Sequence, residues 1–168
     1  VWRLFVDEES ETTFEQQCAA DPGDAATYLA QISLSPAIRF AAPAPAQLKA
    51  LHACIQKVTD DLEGLRFNTA ISAMMVFVNE AVGWDTKPVA VLRDFLILLQ
   101  PFAPHLAEEL WSRLGRLALT SGQPEGSAEA PVWALDLAYQ PWPKFDPALL
   151  IEDTIEVPVQ VNGKLRDL

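Results

Sequence analysis

Leu48, Leu51, Ile55, Val58, Leu62 and Leu65 recur in alternating steps of three and four, which lays all six along one stripe of an α-helix. Gln56, Lys57, Asp60, Asp61 and Glu63 fall on the other side, so the helix has one face for a core and one for water. A helix of this kind is held mainly by what packs on its apolar face. The segments on either side therefore have to supply cover.

Three further helices follow. Gly64 weakens the end of the first, and Asn68 is expected to cap the second by accepting unpaired N–H groups of its first turn. That helix runs through Ala70, Ile71, Met74, Met75, Phe77, Val78 and Ala81 to about Gly83, with Met74 and Met75 read as core. Thr86-Lys87-Pro88 starts the third, with proline in the first turn. Its Val91, Leu92, Phe95, Leu96, Leu98 and Leu99 cover more than one face, which predicts the most buried helix of the set. Pro101 and Pro104 interrupt the run. A fourth helix carries Leu106, Leu110, Trp111 and Leu114 and is expected to end at Gly115.

The rest is less periodic. Residues 1–9 read as the tail of a helix, and 10–47 as irregular, with a short helix at Ala25–Ile32. Residues 116–147 read as mostly loop, and Trp142, between Pro141 and Pro143, as a pin against the bundle. At 168 residues, half of them hydrophobic, the chain suits one domain with a real core. The fold class is mainly α: a bundle of about four helices over 1–150, with loop insertions at about 10–46 and 116–135.

Residues 151–168 change character. Ile155, Val157, Val159 and Val161 alternate as in a strand with one buried face. Asn162-Gly163 suits a type I′ turn, and Lys164-Leu165-Arg166 starts a return strand. A lone two-stranded ribbon is marginal in water, so this hairpin is expected to open a further unit. Val1-Trp2-Arg3-Leu4-Phe5 is already apolar and helix-like, and the whole is expected to be a piece of a larger protein.

No phosphate loop, nucleophile elbow or HExxH occurs, which leaves no catalytic residue to name. His105, Glu108 and Glu109 share a helix face but lack a second nearby histidine. They are read as the polar start of a helix rather than as metal ligands. Cys18 and Cys54 lack metal-type spacing and read as free thiols of a reducing, cytoplasmic protein. No apolar run approaches the roughly 20 residues of a membrane span. A net charge of −11 weighs against nucleic-acid binding, so any polyanion contact has to come from local basic clusters. Arg66, at a helix–helix corner beside Phe67, is suited to a phosphate or to a salt bridge with Asp61 or Glu63.

Four strings, taken together, carry a family resemblance. Lys57-Val58-Thr59-Asp60-Asp61-Leu62-Glu63 leads into Arg66-Phe67-Asn68-Thr69-Ala70-Ile71-Ser72. Pro101-Phe102-Ala103-Pro104-His105-Leu106-Ala107-Glu108-Glu109-Leu110-Trp111 follows, then Pro141-Trp142-Pro143, then Val159-Gln160-Val161-Asn162-Gly163-Lys164-Leu165-Arg166. In this order they resemble the C-terminal part of bacterial-type leucyl-tRNA synthetases, of class I. The Pro-Phe-Ala-Pro-His element also recurs in valyl and isoleucyl members. The resemblance covers 1–9 and 47–168.

It implies a helical anticodon-binding-type domain over 1–150, followed from 151 by the start of a C-terminal α/β domain. The parent enzyme would join leucine to its tRNA using ATP and magnesium, bound in a catalytic domain whose His-Ile-Gly-His and Lys-Met-Ser-Lys-Ser signatures are not in this sequence. This stretch would bind no cofactor, be inactive alone, and support the tRNA body through its backbone, which positions without reading sequence. Arg3, Lys57, Arg66 and Arg93 are the contact candidates by charge and location, with Asn68 as a polar partner and Lys164 and Arg166 further along. The partners implied are leucine tRNA and the rest of the same polypeptide. A different class of reading, a free-standing acidic helical module that binds a protein, draws on the acidity and on Met74-Met75.

Overall fold

The computed structural model describes residues 1–120, 136–150, 159–161 and 164–167. A short helix α1 (Trp2–Phe5) buries Leu4 and Phe5 and gives way to extended backbone at Val6. Asp7 then starts a new helix, α2 (Glu8–Ala20), its carboxylate accepting from the Ser10 N–H at 3.2 Å. Glu8, Glu9 and Glu11 place negative charge at the helix's positive end. Residues 10–20 are therefore helical, not irregular, and 1–9 is not one helix tail. No residue of α2 is buried; with no apolar stripe, it offers no period to detect. A 3₁₀ turn at Pro22–Asp24 leads to α3 (Ala25–Gln31), close to the short helix expected there.

Strand β1 (Ile38–Arg39) pairs in parallel with β2 (Lys87–Pro88) and ties this segment to the bundle. Between them lie α4 (Pro45–Glu63) and α5 (Phe67–Val82). Gln47 secures the start of α4: its Oε1 accepts from the Ala44 N–H at 2.9 Å and its Nε2 donates to the Thr86 carbonyl at 2.8 Å. Leu51, Ile55 and Val58 of the α4 stripe are buried and Leu48 and Leu62 half-buried, but Leu65 lies beyond the helix and is exposed. Asn68 is not the cap of α5. It is the second residue of the helix and exposed, and Arg66 occupies the cap position without a side-chain cap bond. Met74 is core, whereas Met75 is exposed.

Helix α6 (Val89–Leu99) follows Pro88, which sits just before the first turn rather than in it. Eight of its eleven residues are buried, as apolar residues on more than one face require, with Arg93 and Asp94 the polar break between Leu92 and Phe95. Phe95 stacks on Phe77 with centroids 4.8 Å apart, and Trp84 meets Phe77 edge-on at 5.7 Å. The turn at Pro101–Ala103 reverses the chain into α7 (Pro104–Thr120), which buries Ala107, Leu110, Trp111 and Leu114. Gly115 lies inside α7 and does not terminate it. Among the described residues, 136–150 runs back over the bundle through 3₁₀ turns at Leu137–Tyr139 and Pro147–Leu150. The fold is a mainly α bundle.

Strands β3 (Val159–Val161) and β4 (Lys164–Asp167) pair antiparallel, with an irregularity between Val159 and Gln160. The hairpin topology is thus present. Residues 116–120, expected to open a loop insertion over 116–135, are instead the end of α7; the rest of that insertion, the Asn162-Gly163 turn and the strand expected at Ile155 and Val157 lie outside the described residues.

Candidate nucleic-acid interface

Helix α4 ends in a Schellman turn. The Arg66 N–H donates to the Asp61 carbonyl at 2.7 Å, and the Leu65 N–H to the Leu62 carbonyl at 3.0 Å. Leu65 occupies the left-handed position, φ 55°. This turn throws the Arg66 side chain back over α4, where its Nε donates to Asp61 Oδ1 at 2.9 Å and its Nη2 to the Asp60 carbonyl at 2.8 Å. Lys57, one turn before Asp61, places its ammonium 2.7 Å from both carboxylate oxygens.

Asp61, expected on the solvent face of α4, has no exposed surface. Periodicity puts it there correctly; what removes it from water is the cover of Lys57, Arg66 and Thr69, themselves at the surface. Its carboxyl is held down at about 2, chiefly by the Lys57 hydrogen bond, with Thr69 and Arg66 adding to it and desolvation opposing it. The carboxylate stays ionised and fixes two cations at one corner. Lys57 and Arg66 each keep about half of their side-chain surface in water, so both have N–H groups left for a phosphate oxygen.

Arg93 lies elsewhere. It pairs with Asp94 at 3.0 Å and lines a cleft of about 260 Å³ with Trp142 and Lys144. Trp142 is pinned as expected, its indole N–H donating to Thr59 Oγ1 at 2.9 Å. Lys144 joins Arg93 only through folding; the rigid Pro-Trp-Pro run before it was the available signal. Arg3 is exposed on α1, with no described link to either cluster, and Asn68 lines a surface hollow with Arg66 and Thr69. Lys164 lies in β4, in register with Val161, and Arg166 follows it in the same strand.

The His105 cluster is dispersed. His105 is exposed, Glu108 accepts from the Leu137 N–H at 3.2 Å, and Glu109 pairs with Arg113 at 2.7 Å. Arg113 had no sequence signal. Buried, it donates to the Ile32 carbonyl at 2.6 Å and to the Leu29 carbonyl at 2.9 Å, with its guanidinium 5.8 Å from the centroid of the Trp2 ring. It serves the fold, closing the end of α3. Cys18 and Cys54 are free thiols, and burial pushes the Cys54 thiol up to about 12. No described helix is long and apolar enough to cross a membrane.

Residues 46–168 match the model of the anticodon-binding domain of tRNA ligases. The leucine–tRNA ligase of Rhodopirellula baltica is 37% identical over 99% of this chain, and that of Leptospira biflexa 39% over the same share. The leucine–tRNA ligase of Sorangium cellulosum is 46% identical over 69% of the chain. The chain spans 14% of the length of the first two and 12% of the third.

Proposed function

The chain belongs to the anticodon-binding domain family of tRNA ligases, and from that premise we propose that it is the tRNA-positioning part of a leucine–tRNA ligase. The observation that carries this reading is similarity to leucine–tRNA ligases over 99% of the chain. The parent attaches leucine to its tRNA with ATP in the cytoplasm. ATP and magnesium belong to its catalytic part, and this stretch is inactive alone. The helical domain ends near residue 150, where the next begins.

Lys57 and Arg66 are the main backbone contacts, because Asp61 fixes their positions before any tRNA arrives. Such preorganisation lowers the ordering entropy lost on binding. Arg93, with Lys144 beside it, forms a second contact across the cleft. Arg3, Asn68, Lys164 and Arg166 are peripheral. Asp61 cancels one of the two charges at the corner and the chain carries −11, so affinity is weak and salt-sensitive.

The test is a titration of this chain with leucine tRNA and a non-cognate tRNA at low and moderate salt. Binding to both, falling with salt and weakened by Lys57→Ala or Arg66→Ala, is the expected result. Binding indifferent to salt, or absent at low salt, overturns the contact assignment.

A further inference from the structure

Trp142 is half-buried, and its one polar group is already satisfied inside the fold. The indole N–H donates to Thr59 Oγ1 at 2.9 Å, and Pro141 and Pro143 restrict the backbone on either side. The ring is therefore held in place where it lines the cleft of about 260 Å³, together with buried Ile97. Two cations line the same cleft. Arg93, from α6, pairs with Asp94 at 3.0 Å, and Lys144, two residues past the tryptophan, is exposed. The volume falls below the roughly 300–1,000 Å³ of small-molecule pockets. It suits one flat ring rather than a whole cofactor.

We infer that this cleft takes one unpaired base of an RNA, stacked on Trp142, with the flanking phosphates on Arg93 and Lys144. The inference deepens the tRNA-positioning reading and rests on it for the identity of the RNA. Phosphate contacts alone use the two cations and leave the aromatic wall without a role. Stacking uses that wall, and it tolerates any sequence because every base has a flat face. RNA offers such bases in its loops and ends, where they are unpaired. A cationic peptide could lie on the ring, but Arg93 and Lys144 repel it. An acidic peptide could satisfy the cations but leaves the ring bare. A nucleotide carries the anion and the flat ring in one unit. Asp94 holds Arg93 before any ligand arrives, as Asp61 holds Arg66, which lowers the ordering cost of binding. Stacking also supplies affinity that salt does not screen, which a chain of net charge −11 needs.

The experiment measures the affinity of this chain for a single-stranded oligocytidine RNA and for leucine tRNA, each across a salt series. Trp142→Leu should weaken oligocytidine binding at least about fivefold, the lower end of what one stacked base contributes. It should leave the slope of log affinity against log salt unchanged. Lys144→Ala should instead reduce that slope by about 0.7, the loss of one phosphate contact on a single strand. Trp142→Phe keeps a ring but has no N–H for Thr59, and should fall between the unaltered chain and Trp142→Leu. Three results would each overturn the inference: no oligocytidine binding at low salt, a slope that falls with Trp142→Leu, or Trp142→Phe as weak as Trp142→Leu. The last would mean that the pin on Thr59 matters and the ring does not. Oligocytidine binding that depends on Trp142 in a chain that binds no tRNA leaves the base cleft standing and removes only the positioning role. Leucine tRNA bound equally by the unaltered chain and by Trp142→Leu does the reverse.

Discussion

Asp61 holds Arg66 twice, accepting from its backbone N–H at 2.7 Å through the carbonyl and from its guanidinium Nε at 2.9 Å through the carboxylate. Helix termination and cation placement are thus one arrangement. The Schellman turn aims Arg66 back along α4, and the carboxylate fixes it beside Lys57. A change at this corner should therefore register both in stability and in polyanion binding.

Asp61→Asn separates these effects by pH. The folded carboxyl sits at about 2, below its ordinary 3.8. A depressed carboxyl adds stability that is fully present above the unfolded value and is lost as pH falls through the folded one. The variant should melt at a lower temperature than the parent sequence at pH 7, and the gap should close between pH 4 and 2. Thermal melts across that range check this; a gap independent of pH would mean the charge of Asp61 contributes nothing.

Gly64 is needed for the Arg66 side chain rather than for its own backbone, since its φ of −85° suits any residue. A Cβ there would overlap Arg66 Nη1. Gly64→Ala should displace the guanidinium and cost about 0.5–1 kcal/mol, the range for a half-exposed ion pair. In an Arg66→Ala background that cost should fall below roughly 0.3 kcal/mol. Chemical denaturation of the four proteins closes the cycle, and an unchanged cost would place the strain in the backbone.

Leu65, not the glycine before it, takes the left-handed conformation, while remaining 74% exposed. A β-carbon in that region costs roughly 1–2 kcal/mol, and asparagine tolerates it better than leucine. Leu65→Asn should therefore stabilise the chain by about 0.5–1 kcal/mol. A loss of stability on denaturation would show that Leu65 makes a contact its exposure hides.

Which parts were legible follows from how local each determinant is. The burial of α6 could be read because its apolar residues cover more than one face, and Leu51, Ile55 and Val58 because their period matches the helix. The same period misplaced Leu65, because the stripe continues in sequence past a turn that reverses the chain. Met74 and Met75 are indistinguishable in composition but one helical step apart, and only one of them faces Phe77's side of the core. Helix α2 is set by a cap and acidic first turn with nothing buried. At the candidate site, Lys57 and Arg66 were visible as charges. The Arg66–Asp61 pair was legible as one of two alternatives and is formed, whereas the sharing of that carboxylate with Lys57 and Thr69, which buries it, was not.

Arg113 was illegible for the strongest reason: the carbonyls it satisfies belong to Leu29 and Ile32, more than 80 residues earlier. Its three partners use the planar fork of a guanidinium, which an ammonium cannot reproduce. Arg113→Lys should therefore cost roughly 1.5–3 kcal/mol, the scale of a charged hydrogen bond left unmade in a buried site. The loss should be local before it is global, because these bonds join α3 to α7 while α4 and α5 pack independently of them. Hydrogen exchange at Gln31–Leu34 should accelerate in the variant, with the amides of Ile55–Val58 in α4 unchanged under the same conditions. Uniform acceleration would mean instead that Arg113 supports the whole core.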